Sequence, residues 1–462
     1  MAATSEKDEA QRLYIGVDVG GTKVQASLVE ESGGIVAQER CPTPRGDAPE
    51  KVVAAIETAI ESVLKKVDVK HGALAAIGVA IPGVVDPDTG RVIVTPNMGL
   101  TGVAIGSHLE HRFDAPIAIG NDGNLGAMGE RWLGSGRAAK SVLSICVGTG
   151  IGSGFVQGGR LWRGAREAAG EIGHIVMQIG GPKCGCGNRG CFEALAGRSA
   201  IERDIRAAVD AGRTTILTDL IGGDLSIIRS GMLQRALAAK DELVTEIMRR
   251  AAEVIGHACL TVRHLIDPDV IVLGGGVMEA CSDFMMPIIE NIVGNDQLPG
   301  ARAGGGVLLS ALGDDAVVLG AVAAARKSVG RSPFKKEFIV GPTYPQITGC
   351  DFGKIAVQED SYGRDICIGV NGKVKKRKKS LAKDEYGSSH VVGPRELQRV
   401  CRGGPEIIFI GTGMSGKIKL AEEGQRYLDQ RAIKYDMQPT PEAIKAYNAS
   451  TERKAALIHV TC

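Results

Sequence analysis

The sequence predicts an α/β protein built by duplication and followed by a separate, smaller α/β domain. Two observations carry the duplication. An apolar strand, Leu13 to Val17, runs into Asp18-Val19-Gly20-Gly21-Thr22-Lys23 and at once into a second strand, Val24 to Val29. The layout returns at Val142 to Val147, Gly148-Thr149-Gly150-Ile151-Gly152 and Phe155-Val156, and such self-similarity predicts an internal repeat. A third observation sets off the tail: residues 328 to 346, SVGRSPFKKEFIVGPTYPQ, hold three prolines and no helical period, so a linker is expected there.

The remaining elements follow in order. Pro49 to Lys66 has helical periodicity, Ala75 to Ile81 is an apolar strand ending in Pro82-Gly83, Val103 to Arg112 is a helix and Ile117 to Ile119 a strand. From Glu242 to Leu265 the residues Leu243, Ile247, Ala251, Val254, Ile255, Ala258, Val262 and Leu265 fall on one helical face. Strand Val270 to Leu273 runs into Gly274-Gly275-Gly276, and a helix from Ala316 to Lys327 could return to the first lobe. The boundaries read as a main region at 12–329, with a small lobe of about 12–122 plus 316–329 and a large lobe of about 123–315. A linker at 330–346 and a tail domain at 347–462 complete the chain. The tail shows a hairpin around Asn371-Gly372, a helix near Pro394 to Cys401, strand Ile407 to Ile410, a helix near Pro441 to Asn448 and a closing strand Ala456 to Val460.

At 462 residues and 44% hydrophobic content the chain can bury more than one core. A net charge of +2 spreads no strong field, which argues against nucleic acid or an anionic membrane as the main partner and favours a small substrate. Eleven cysteines without paired spacing outside one segment fit a reducing cytoplasm. The N-terminal MAATSEKDEAQR lacks the apolar run of a signal peptide, so a cytoplasmic protein is expected.

The densest chemistry lies in Glu171 to Glu193, EIGHIVMQIGGPKCGCGNRGCFE. His174, Cys184, Cys186 and Cys191 offer one nitrogen and three sulfurs, the donor set of a closed structural zinc site; a disulfide or free-thiol cluster is the alternative. A metal there would also fix the flanking acids Glu171 and Glu193. The glycine turns Gly20-Gly21-Thr22 and Gly148-Thr149-Gly150 could cradle phosphates through backbone N–H groups, facing each other across a cleft. Asp18 suits a role toward Mg²⁺, and Lys23 could reach a phosphate or be a surface lysine. Gly274, Gly275 and Gly276 suit close packing against adenine and ribose. In Gly120-Asn121-Asp122-Gly123-Asn124, Asp122 reads either as a helix N-cap or as the carboxylate that takes the proton from an attacking hydroxyl.

Together, DVGGTK at 18–23, PGVVD at 82–86, NDGN at 121–124, GTGIG at 148–152, EIGH at 171–174, CGCGNRGC at 184–191 and LGGG at 273–276 resemble the ROK family of sugar kinases, nearest to its glucokinases. The resemblance covers about residues 12–329 and implies an actin-like, ribonuclease H-like, two-lobed ATPase fold that uses ATP, Mg²⁺ and a structural Zn²⁺. It implies Asp122 as general base, with Gly83, Asn121, Glu171, His174 and Glu193 around the sugar. His174 would serve the zinc through one ring nitrogen and the sugar through the other. It further implies a homodimer. Gly123 and Leu125 depart from the expected alanines, and the glycine would loosen the following helix by roughly 1 kcal/mol. The short segment before the first strand leaves no room for a helix-turn-helix, so transcriptional control is not expected. The segments KVKKRKKSLAKDEYGSSH (373–390), PEIIFIGTGMSG (405–416), TPEAIKAYN (440–448) and KAALIHVTC (454–462) of the tail resemble a small α/β family that includes an adipogenesis-associated protein and a mitochondrial complex I assembly factor, which implies a fold and no chemistry; the fusion itself suggests a protein partner for the tail. Within it Tyr386, His390 and Cys462 are polar residues that could line a site, with a turn or surface role favoured for His390, and the basic run Lys373 to Lys379 reads as a solvated strand edge.

Overall fold

The structure, a computed structural model, describes residues 12–44, 46, 48–95, 98–298 and 305–461. Cys462 lies outside the described residues. The fold divides into two compact units, one of Met1–Gly120, Trp132–Arg137 and Val318–Cys462, the other of Asn121–Arg131 and Ala138–Val317.

The first unit opens with β1 (Leu13–Val19), β2 (Lys23–Glu30) and β3 (Ile35–Pro42), followed by α1 (Pro49–Lys66). Helix α1 has Pro49 at its start, where no N–H is needed, and two lysines in its last turn. Its Val52, Ile56, Ile60 and Val63 form the buried stripe. Then come β4 (Leu74–Ile81), the hairpin β5 (Val84–Asp86) and β6 (Arg91–Val94), α2 (Ile105–Phe113) and β7 (Ile117–Asn121), whose last residue opens the second unit. The sheet order is β3-β2-β1-β4-β7, with β1 antiparallel to β2 and parallel to β4.

The second unit continues with α3 (Asp122–Trp132), β8 (Ser141–Val147), β9 (Ile151–Gln157) and β10 (Arg160–Leu161). The segment rich in metal donors holds a single 3-10 turn at Ile172–His174 and leads into α4 (Phe192–Ala196) and α5 (Arg198–Asp210). Helices α6 (Leu217–Leu220), α7 (Ser230–Ala238) and α8 (Glu242–Ile266) precede β11 (Val270–Gly274), α9 (Gly276–Gly294) and β12 (Gly306–Leu309). This sheet runs β10-β9-β8-β11-β12, with β8 antiparallel to β9 and parallel to β11. Order and direction repeat those of the first sheet, so the duplication extends well beyond the two glycine turns. Asp241 caps α8 by accepting from the Val244 N–H at 2.8 Å. One expectation for α8 fails: Leu265, in the last turn, is 77% exposed although it shares the helical face of buried Ile247.

Helix α10 (Ala316–Ser328) returns to the first sheet. A Cβ at Gly16 would stand 2.4 Å from the Val318 carbonyl oxygen, and one at Gly78 1.9 Å from that of Ala321. These paired glycines let the helix backbone lie directly on β1 and β4.

The tail holds β13 (Ile347–Asp351), β14 (Lys354–Val357) and β15 (Asp360–Tyr362) as one small sheet. It continues through β16 (Ile366–Ile368), β17 (Val374–Lys376), α11 (Ser380–Tyr386), β18 (Val391–Val392), α12 (Pro394–Val400), β19 (Ile407–Thr412) and β20 (Lys419–Leu420). It ends with α13 (Glu422–Asp429), β21 (Lys434–Gln438), α14 (Thr440–Ala449) and β22 (Lys454–His459). The main sheet runs β17-β16-β22-β19-β21, with β22, β19 and β21 parallel. The basic run is not wholly solvated: Arg377 is buried and makes two bonds to Glu396, at 2.8 and 2.9 Å. Its side chain turns inward because a buried carboxylate pair awaits it, which the run of lysines hides. Buried Arg453 ties the tail to the β2–β3 turn by donating to the carbonyls of Ser32 at 3.0 Å and Gly33 at 3.4 Å.

Candidate active site

In the second unit, Asp122 opens α3 directly after β7. The helix cap falls to its neighbour, since Asn121 Oδ1 accepts from the Asn124 N–H at 3.0 Å. The N-cap reading of Asp122 therefore gives way. Asp122 Oδ1 accepts from the Gly123 N–H at 2.9 Å. Burial pushes the Asp122 carboxyl above the usual carboxylate range, against the opposing pull of backbone N–H groups. The departure at Gly123 has a structural cause. A Cβ there would stand 2.7 Å from both the backbone nitrogen and the oxygen of Ser153 on β9. Gly123 is thus a close-approach glycine that seats the start of α3 on the strand, rather than a weak point in the helix.

Glu193 sits in the first turn of α4 and organises the loop after β8. Its Oε2 accepts from the Ile151 N–H at 2.9 Å, and a Cβ at Gly150 would stand 2.3 Å from that oxygen. So Gly150 leaves room for the Glu193 carboxylate, which a Cβ there would push aside. Arg198 donates to Thr149 Oγ1 at 2.7 Å, and the Arg198 and Ser199 N–H groups bond the Gly148 and Thr149 carbonyls. Glu171 stands just before the 3-10 turn. Its carboxyl is raised first by desolvation and further by the charges of Asp122 and Glu193, while His174 opposes the rise. Contacts link the four residues: Gly123, next to Asp122, packs on Ser153, whose hydroxyl bonds Gly170 and Ile172 on either side of Glu171, and Cys184 Sγ lies 3.6 Å from His174 Nδ1 and 3.5 Å from Glu193 Oε1.

Ser153 is the residue here that sequence reading missed. Its hydroxyl donates to the Gly170 carbonyl and accepts from the Ile172 N–H at 3.3 Å, anchoring the segment that carries Glu171. Its only signal is a lone polar residue within a glycine-rich strand.

The side chains of His174, Cys184, Cys186 and Cys191 bring their donor atoms within 4.8 Å of one another. Tetrahedral zinc with Zn–S of about 2.3 Å and Zn–N of about 2.0–2.1 Å needs S···S of about 3.8 Å and S···N of about 3.6 Å. Cys186 and Cys191 sulfurs are 3.7 Å apart, and Cys184 Sγ lies 3.6 Å from His174 Nδ1. The donor set fits such an ion. The backbone turns tightly to achieve this: Gly187 and Gly190 have φ of +94° and +74°, and a Cβ at Gly190 would stand 1.6 Å from the Gln178 carbonyl oxygen. Glu193 Oε1 lies 3.5 Å from Cys184 Sγ, which couples the acid to the cluster.

Gly274, Gly275 and Gly276 lie where β11 meets α9. Gly275 has φ of +87°, and a Cβ on it would stand 2.6 Å from the Val147 carbonyl oxygen. Because β8 and β11 are adjacent and parallel, the Gly148–Gly150 turn and this glycine run lie at neighbouring carboxyl ends, where α/β sheets present ligand groups.

In the first unit, Asp18 lies in β1 opposite Gln25, Gly20 to Thr22 form the turn, and Lys23 opens β2. The Gly20 N–H bonds the Lys23 carbonyl at 2.9 Å, and the Thr43 hydroxyl bonds the Gly20 carbonyl at 2.6 Å. Gly83 follows β4 with φ of +97°, and a Cβ there would stand 2.2 Å from the Val94 carbonyl oxygen.

Residues 14–328 match the ROK family. The chain belongs to the ROK family. The ROK region is 32% identical to a glucokinase of Halalkalibacterium halodurans over 312 residues, covering 67% of this chain and 94% of that one. A ROK family glucokinase from Streptomyces griseus, solved with glucose and AMPPNP, superposes with a TM-score of 0.61 at 31% identity, covering 68% of this chain and 99% of that one. ROK relatives also include a putative xylose repressor of Caldicellulosiruptor, 30% identical over 67% of this chain and 77% of that one. The ROK region has the actin-like ATPase fold of these kinases. The tail, residues 347–459, matches a family described as protein of unknown function, DUF498/DUF598. Among the described residues, no helix is long and apolar enough to cross a membrane.

Proposed function

We propose that this ROK protein is an ATP-dependent glucokinase acting on the 6-hydroxyl of glucose, with Asp122 as general base. The observation that carries the reading is the linkage of Asp122, Glu171, His174 and Glu193 through Ser153 and Cys184. The 6-hydroxyl proton passes to the Asp122 carboxylate as the hydroxyl oxygen bonds to the γ-phosphorus and the bond to ADP breaks. The raised pKa strengthens Asp122 as a base. Glu171, Glu193, Asn121 and Gly83 are assigned to the sugar, together with His174 through its Nε2, since Nδ1 faces the sulfurs. Asp18, Gly20, Gly21, Thr22, Lys23, Gly148, Thr149, Gly150, Gly274, Gly275 and Gly276 are assigned to the nucleotide. Mg²⁺, when bound, would offset phosphate charge. His174, Cys184, Cys186 and Cys191 would hold zinc as a closed donor set with no place for an activated water, so the ion would serve to fix the acids.

Kinases of N-acetylmannosamine or N-acetylglucosamine carry a similar motif set, and room at the sugar 2-position would separate them. A second reading rests on the fusion itself: a sugar-responsive binding or assembly protein whose tail, resembling adipogenesis-associated and complex I assembly proteins, meets a partner. A coupled ADP-release assay over glucose, mannose and the N-acetylhexosamines, with ATP or polyphosphate as donor, tests both. Glucose should turn over fastest, and Asp122→Asn should abolish turnover while keeping sugar binding. Sugar binding without ADP release in the parent protein would favour the second reading.

A further inference from the structure

The tail domain carries a second constellation that the kinase reading leaves unused. Strands β19 and β22 run parallel, and their carboxyl ends place Thr412 beside His459. Ligand groups in open α/β sheets gather at such ends. His459 and Asp365 are 1% and 2% exposed, and His459 Nδ1 lies 2.6 Å from Asp365 Oδ2. Asp365 also accepts from the Val460 N–H at 3.2 Å, from Arg377 at 3.4 Å and from Lys379 at 3.0 Å. Burial opposes ionisation of this carboxyl, yet the bonds from His459 and Lys379 hold it well below the usual carboxylate range. A carboxylate that only accepts fixes the proton of a neutral His459 on Nδ1, so Nε2 presents its lone pair.

That nitrogen lies 3.3 Å from Thr461 Oγ1. Residues two apart in extended chain share a face, which is why the hydroxyl meets the ring. Thr461 is only partly buried. A buried carboxylate, an oriented imidazole and a hydroxyl at the domain surface therefore stand in line. A hydroxyl becomes a useful nucleophile when an adjacent base takes its proton and a third group orients that base, and separations in unliganded sites run slightly long. The nearby cations limit the substrate class. Arg377 is bound to Glu396 and Asp365, and Lys379 to Asp365, so their charge is already matched and a phosphate dianion would meet little compensation. An uncharged acyl carbon needs none.

We propose that Asp365, His459 and Thr461 form a nucleophile-activating triad in the tail domain, directed at activated carboxylic esters or thioesters. Thr461 Oγ1 bonds to the acyl carbon and its proton passes to His459 Nε2. The bond from that carbon to the leaving oxygen or sulfur breaks, and the leaving group takes the proton from His459. Water then attacks the acyl-threonine, again through His459, releasing the carboxylic acid and restoring the hydroxyl. Water is the only co-reactant, and Asp365 stays ionised to stabilise the imidazolium.

The test uses the full chain with p-nitrophenyl acetate as probe, following p-nitrophenol release and locating the acetyl group by peptide mass spectrometry. Acetylation at Thr461 is expected, with hydrolysis lowered at least 100-fold in Thr461→Val and His459→Gln and largely kept in Thr461→Ser. Sugar phosphorylation should be unchanged in all three. Because His459 is buried and its variant could fail to fold, the decision rests on Thr461→Val, with circular dichroism melting confirming that it is folded. Probe hydrolysis by folded Thr461→Val equal to the parent, or acetyl groups found only on lysines, would overturn the proposal.

Discussion

Gly150→Ala is the sharpest perturbation of the candidate active site, because the glycine answers to a named carboxylate. The new Cβ would stand 2.3 Å from Glu193 Oε2 and 3.0 Å from Cδ, so Glu193 must swing away. The swing breaks the 2.9 Å bond from the Ile151 N–H. Hydrogen bonds to charged groups contribute about 1.5–3 kcal/mol, and with about 1.4 kcal/mol per decade the expected loss of glucose affinity is roughly 10- to 100-fold. Gly148→Ala is the control in the same loop, since the nearest atom to its Cβ is 3.9 Å away. Calorimetric glucose titrations of the two variants, with thermal melts, measure the difference. A double-mutant cycle adds a check that needs no substrate: Gly150→Ala combined with Glu193→Ala should cost less stability than the sum of the two. Equal glucose affinity in the two glycine variants, together with an additive cycle, would refute the account of Gly150 as a seat for Glu193.

Four further expectations follow from the same structure. The base must be ionised to accept a proton and its pKa is raised by burial, so kcat/KM should fall on acidification with a limb above the ordinary carboxylate range, and a limb at or below that range would count against Asp122. Chelation of zinc should lower both Tm and sugar affinity, because the knuckle that places Glu193 loses its centre; no change in either would remove the structural role. In the tail, Asp365 has a depressed pKa in the folded state, so its contribution to stability is present above the unfolded value of about 4 and is lost as pH falls below it. Hydrogen-exchange protection factors in β16 and β22, taken relative to the intrinsic rate at each pH, should therefore fall on acidification, and Arg377→Met, which leaves Glu396 buried without its partner, should cost about 3–5 kcal/mol by urea unfolding.

Much of this molecule is written in local pattern. Helix α1 and the strands β1, β4, β8 and β11 follow from apolar period and bounding glycines, and the metal-donor set follows from residue type and spacing. The repeat of the first sheet in the second was signalled by only two glycine turns, yet it extends through five strands in each. Strand β3 escaped notice because its residues are mostly half-exposed and mixed in polarity, and the short β13–β15 sheet because three- to five-residue strands carry little periodicity. Local pattern could not assign the cap of α3, since Asn121 and Asp122 are equally good capping types; only coordinates show which oxygen meets the Asn124 N–H.

The sequence by itself determined the repeated α/β plan and the metal-donor set, because each depends on neighbours within a few residues. Tertiary structure alone decided why Gly123 and Gly150 are glycines, that Arg377 turns inward, and that His459 meets Asp365. Those facts depend on atoms that lie 30, 43, 19 and 94 residues away along the chain, and the free energy of such contacts is set by distance in space, which residue order does not encode.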